Sequence, residues 1–206
     1  MGQTEEIVVS SCTCSWSEKL TSKIKDVKVI KRDYAKAFPQ NYKDDFDVKK
    51  AVEDVIKIEE AIKCKGISVL SYKKDDAKDN ELSFKIFNSQ EKLRLSDIVP
   101  MLENMGFLVV VEQAYFMEFE DKNHAWIRDI SLVSAGCEHV DVKKIKHNIE
   151  KTFIKLWRGD FENGAMNQLV VKVGMSWQDV NILRAYSRYL KQIGFFSFPK
   201  IYNKLH

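Results

Sequence analysis

Four histidines and four cysteines are the residues of this 206-residue chain best suited to metal or nucleophilic chemistry. Their spacing favours neither. Cys12-Thr13-Cys14 is the only close cysteine pair, and no second pair stands at zinc spacing. His139 and His147 are eight apart, with Cys137, Glu138 and Asp141 nearby. A metal needs three or four converging ligands, so this group reads as the surface at a helix start. His124 falls in an expected hairpin turn and reads as solvated. Cys64 and Cys137 have no His and acid placed to make a thiolate nucleophile. The acid pairs Asp44-Asp45 and Asp75-Asp76 lie in polar stretches, where a carboxylate is solvated rather than tuned for acid catalysis. No phosphate-cradling glycine loop and no HExxH occurs. We therefore expect no catalytic, cofactor-binding or metal-binding residue in this chain.

The end of the chain is basic. Residues 165–206 hold six Lys or Arg and one acid, Asp179. Arg184, Arg188 and Lys191 fall on one helical stripe, with Trp177 and Tyr189 nearby. A cationic stripe with aromatics can neutralise phosphates. The whole chain carries only +3, so a docking or solvated face is the better reading, and no nucleic-acid partner is expected. Trp157, Trp177, Arg184, Arg188 and Tyr189 are the candidate interaction residues.

The elements that must position these groups follow from composition and period. The 24.0 kDa chain is 45% hydrophobic and 31% charged, enough apolar surface for a core. No run of about 18 apolar residues exists, so no membrane span is expected. The first residues lack the basic end of a secretion signal. Few cysteines imply a reducing, cytoplasmic setting.

Residues 1–15 read as a loose leader. Residues 16–27 carry Leu20, Ile24 and Val27 at helical spacing, and residues 48–63 form an amphipathic helix through Val48, Val52, Val55, Ile58 and Ile62. Strands are expected over 66–72 and 82–87; in the second, Leu82, Phe84 and Ile86 share a face and Lys85 points away. A short helix should start at a Ser96 cap and end at Gly106. Phe107, Val109, Val111, Tyr115, Met117 and Phe119 should all point one way along the next strand. Residues 126–133 return, with Trp126, Ile130 and Leu132 on one face. Ile145, Ile149, Phe153 and Leu156 form the stripe of a helix over 141–157. Period does not decide between strand and helix for 169–173.

The order strand, strand, helix, strand, strand, helix is a circular permutation of a ferredoxin-like unit. The expected class is α+β: a four-stranded antiparallel sheet with helices on one face, flanked by N- and C-terminal helices. The expected divisions are a helical segment at 16–64, the sheet domain at 65–160 and a second helical segment at 161–206. The last helix, capped by Ser176 and stopped by Gly194, is apolar on two sides. One side holds Val180, Leu183 and Leu190; the other holds Ile182, Tyr186, Tyr189 and Ile193. Such a helix needs two partners.

Five stretches resemble the large bacterial NAD-specific glutamate dehydrogenases: "YAKAFPQNYKDDF" (34–46), "AVEDVIKIE" (51–59), "LSDIVPMLENMGFLVVVEQAY" (95–115), "LWRGDFEN" (156–163) and "MSWQDVNILRAYSRYLKQIGF" (175–195). They occur in the family's order and at similar spacing. One departure is local: Gly164, Ala165 and Met166 follow "EN", where the family usually has an acid. The resemblance implies an ACT-like, non-catalytic regulatory domain followed by the start of a helical region. It implies NAD as cofactor of the full enzyme, with none bound by this segment. Its expected partners are the remaining dehydrogenase segments, an amino-acid effector and a second copy. The leading expectation is a fragment or split-gene product that is inactive alone; the alternative is a free-standing amino-acid-sensing module.

Overall fold

The computed structural model describes residues 15–25, 32–90, 93–121, 123–136 and 142–195. Its helices are α1 (Trp16–Lys25), α2 (Tyr34–Ala37), α3 (Gln40–Asp45), α4 (Val48–Cys64), α5 (Leu95–Asn104), α6 (Val142–Trp157), α7 (Leu169–Lys172) and α8 (Trp177–Gln192). The strands are β1 (Ile67–Tyr72), β2 (Glu81–Asn88), β3 (Phe107–Glu118) and β4 (His124–Ser134). Residues 1–14 of the leader, Val27, Cys137, Glu138, His139 and Asp141 lie outside the described residues.

The strands form one sheet in the order β1-β2-β4-β3, antiparallel throughout. This is the ferredoxin-like order with its last strand moved to the front. The two helices of that unit, α5 and α6, sit on one face. Their stripes (Ile98 and Leu102; Ile145, Ile149, Phe153 and Leu156) meet Val69, Leu82, Phe84, Ile86, Ile130 and Leu132 in one apolar core. α7 and α8 close its rim through Val170, Val171 and Val180; residues 169–172 are thus helix, with Val173 its C-cap.

The other face is covered too. Leu20, Tyr34, Phe38, Tyr42, Val55 and Ile58 of the N-terminal helices pack on Leu70, Phe87, Tyr115, Met117 and Ile127. α4 starts where Asp47 accepts the Lys50 N–H at 2.8 Å, and ends at Lys65 in the left-handed conformation, φ 48°. Its buried residues Ala51, Val55 and Ile58 lie against the sheet.

Two expectations are corrected. The apolar residues of β3 do not share one face. A register shift between Val109 and Val111 inserts one residue against β4. Phe107 and Val109 therefore enter the α5/α6 core, while Tyr115, Met117 and Phe119 enter the N-terminal one. A one-residue bulge reverses the parity of everything beyond it. Ser96 does not cap α5, which starts earlier behind Arg94 without a side-chain cap bond. Gly106 at φ 93° turns α5 into β3, and a Cβ there would meet Gln168 Cβ at 3.3 Å.

Candidate functional site

Lys85 leaves β2 on the face opposite Phe84 and Ile86, as its strand parity requires. It does not reach water. The N-terminal helices roof that face, and Lys85 is 1% exposed. Its Nζ meets Asp54 Oδ2 of α4 at 2.5 Å, and the Tyr42 hydroxyl donates to the same oxygen at 2.5 Å. The ammonium lies 3.5 Å from the centre of the Phe46 ring, with Tyr72 and Tyr42 at 5.2 and 5.6 Å. A buried ammonium is tolerable because the carboxylate neutralises it and the rings offer their negative faces. Asp54 Oδ1 is buried with no hydrogen-bond partner.

Asp129 of β4 stands directly opposite Lys85 in the sheet. It accepts from the Tyr72 hydroxyl through both oxygens, at 3.0 and 2.9 Å, and lies 3.6 Å from Lys74. The Tyr115 hydroxyl donates to Asp45 at 2.6 Å. Burial is the main cause that raises the Asp54 carboxyl above its ordinary value, with Lys85 pulling the other way. Burial first raises the hydroxyls of Tyr42, Tyr72 and Tyr115 well above the usual phenol range; a carboxylate adds to it, chiefly by its charge at Tyr42 and Tyr72 and by its hydrogen bond at Tyr115.

A cleft of about 430 Å³ opens beside this layer, lined by Asp45, Lys50, Lys74, Asp75, Asp76 and Asp129 among others. A second of about 290 Å³ reaches Asp54 and Lys85. Asp45 and the Asp75-Asp76 pair, expected to be merely solvated, are walls of the first cleft. Sequence reasoning missed Asp54, Lys85 and Asp129. Phe87, two residues after Lys85 on the same face, was the available sign that this face is covered. Among the described residues no group of three His, Cys, Asp or Glu could hold a metal ion.

The candidate interaction residues fall into two groups. Arg184 is buried: its Nη2 donates to Asn167 Oδ1 at 2.6 Å and its guanidinium stands 4.7 Å over the Phe161 ring. Trp157 and Trp177 are half-buried at the rim of the α5/α6 core, and the Trp177 ring meets Phe161 edge-on. Arg188 is exposed and reaches Glu162 at 2.5 Å, and Tyr189 is exposed. Arg184, Trp177 and Phe161 are thus brought together, while Tyr189 stands apart on the outer face. His124 is half-buried at the start of β4, and its Nε2 lies 2.6 Å from the Gln90 carbonyl oxygen.

Three adjoining family models match this architecture. Residues 26–61 match glutamate dehydrogenase, helical motif 2; residues 66–145 match its ACT3 domain; residues 161–204 match its helical motif 3. The chain belongs to the glutamate dehydrogenase family. It is 31% identical to the NAD-specific glutamate dehydrogenase of Pseudomonas aeruginosa over 196 residues, 92% of this chain and 12% of that protein. It is 31% identical to the Halomonas elongata protein of the same name over 159 residues, and 27% to that of Mycobacterium tuberculosis over 167. These spans are 77% and 79% of this chain and 10% of each relative. The chain thus spans about a tenth of the length of the curated dehydrogenases it matches. The ACT3 match covers all four strands, and helical motif 2 falls on the roof over Lys85 and Asp54. No described helix is long and apolar enough to cross a membrane.

Proposed function

We propose that this chain is a non-catalytic segment of a cytoplasmic NAD-dependent glutamate dehydrogenase, contributing packing and regulation. The whole enzyme converts L-glutamate, water and NAD to 2-oxoglutarate, ammonium, NADH and a proton. The observation that carries the reading is the unbroken order of helical motif 2, ACT3 domain and helical motif 3 along one chain. Residues 16–64, 65–160 and 161–206 are its helical, ACT-like and second helical parts. The remaining dehydrogenase segments are its partners, and NAD binds among them rather than here. Hydride transfer needs a cofactor cradle and a base, and this sequence carries neither motif. The purified chain, given glutamate and NAD, should produce no rise in NADH absorbance. Sustained glutamate-dependent turnover would refute the reading.

A second reading, an amino-acid-sensing module, is favoured by the 430 Å³ cleft. Lys50 and Lys74 there can take a carboxylate, and Asp75 and Asp76 an ammonium. Calorimetry with a panel of amino acids tests it; absence of heat with all of them counts against a sensor.

A further inference from the structure

α8 presents a seam that nothing among the described residues covers. Ile182, Tyr186, Tyr189 and Ile193 recur at spacings of four, three and four, the stagger of coiled-coil core positions. All four are exposed, Tyr186 at 64% and Tyr189 at 57%. The opposite side of the helix, through Val180 and Arg184, is the one buried on its own protomer. Between Ile182 and Ile193 the positions beside the seam are Leu183, Ala185, Leu190 and Gln192, none of them charged; Asp179, one turn earlier, is engaged in the Ser176 cap. Arg184, Arg188 and Lys191 all fall away from it, and the first two are held by Asn167 and Glu162.

We propose that this seam is an interface between two copies of the chain, formed by two α8 helices packed antiparallel about a two-fold axis between Ser187 and Arg188. The spacing is self-complementary about that axis. Ile182 falls opposite Ile193 of the second copy, and Tyr186 opposite its Tyr189. Leu183 then flanks Leu190. Each contact is made twice, as an isologous interface requires. The uncharged flanks give an acidic or basic partner helix no advantage over a copy of α8 itself. Antiparallel packing also opposes the two helix dipoles, which parallel packing would align. Ile182, Leu183, Tyr186, Tyr189, Ile193 and Phe195 together expose on the order of 600 Å², most of the roughly 800 Å² per partner in a stable interface.

The proposal concerns self-association and does not depend on the dehydrogenase reading. Sedimentation of the full chain at micromolar concentration should give twice the 24.0 kDa monomer mass. Ile182→Glu and Ile193→Lys should each weaken the dimer roughly thirtyfold or more, with circular dichroism unchanged. Combined in one chain, the two substitutions should restore it, because Glu meets Lys across an antiparallel pair. A parallel pair would set Glu against Glu and Lys against Lys, so failure of the double variant to recover would overturn the arrangement. Val110→Lys on the exposed edge strand β3 should leave the dimer intact. A monomeric wild-type chain would sink the proposal, as would a dimer broken by the Val110 variant and not by the α8 variants.

Discussion

The two faces of the sheet are built on opposite principles. Under α5 and α6 the buried side chains are almost all aliphatic or aromatic, with Phe84 and Phe153 edge-to-face at 5.0 Å. Under α4 an equally apolar layer is interrupted by Asp54, Lys85 and Asp129, and each of these finds a specific partner. The first face needs only volume and shape. The second also needs direction, because a buried charge that loses its partner keeps its full desolvation cost. The difference teaches that a helical roof can cover a sheet face without drying it.

The largest expected effects test that difference directly. Lys85→Met should destabilise the fold by about 3–5 kcal/mol, since it strands the Asp54 carboxylate. Adding Asp54→Leu to the same chain should recover most of the loss. Chemical denaturation of the two single variants and the double variant measures it, and a double variant no better than Lys85→Met would contradict the account. On the dry face, Phe153→Ala should cost about 3–5 kcal/mol through cavity formation, with no single second change able to restore it.

A smaller effect is expected at the rim of the polar layer. Tyr115→Phe removes one hydrogen bond to the exposed Asp45 and should cost about 1 kcal/mol, read as a shift in denaturation midpoint.

The last expectation concerns alkaline pH. Tyr42, Tyr72 and Tyr115 have folded-state pKa values raised above their unfolded ones. The folded chain therefore keeps protons that the unfolded chain releases near pH 10. Their stabilising contribution is complete below that pH and falls as pH rises beyond it. Tyrosinate absorbance from these three should grow only together with loss of circular dichroism. Ionisation of all three in a chain that stays folded would break the comparison, because it would mean the polar face is open to hydroxide.

Periodicity made the dry face readable. Ile145, Ile149, Phe153 and Leu156 stand at helical spacing, and Leu82, Phe84 and Ile86 alternate; each set is buried in the same core. The cap at Ser176 was equally legible, since its Oγ accepts the Asp179 N–H at 3.2 Å, a contact three residues long. The polar face was not legible. Lys85 obeys the alternation of a strand with one wet side; Phe87 on the same face hints that the face is covered, but nothing nearby in sequence points to Asp54, 31 residues away. The bulge in β3 was hidden for a related reason. Five of the first five residues, Phe107 to Val111, are apolar, so either parity fits the pattern.

What this sequence determined unaided is the order of its four strands and five longer helices, the apolar stripes of those helices and a last helix apolar on two sides. Those properties depend on contacts within a few residues, where backbone period and capping chemistry operate. Tertiary structure alone decided that both sheet faces are roofed, that β3 changes face midway, and that Asp54 and Lys85 meet away from water. Each of those outcomes pairs groups distant along the chain, and only the packing of whole layers brings such groups within reach.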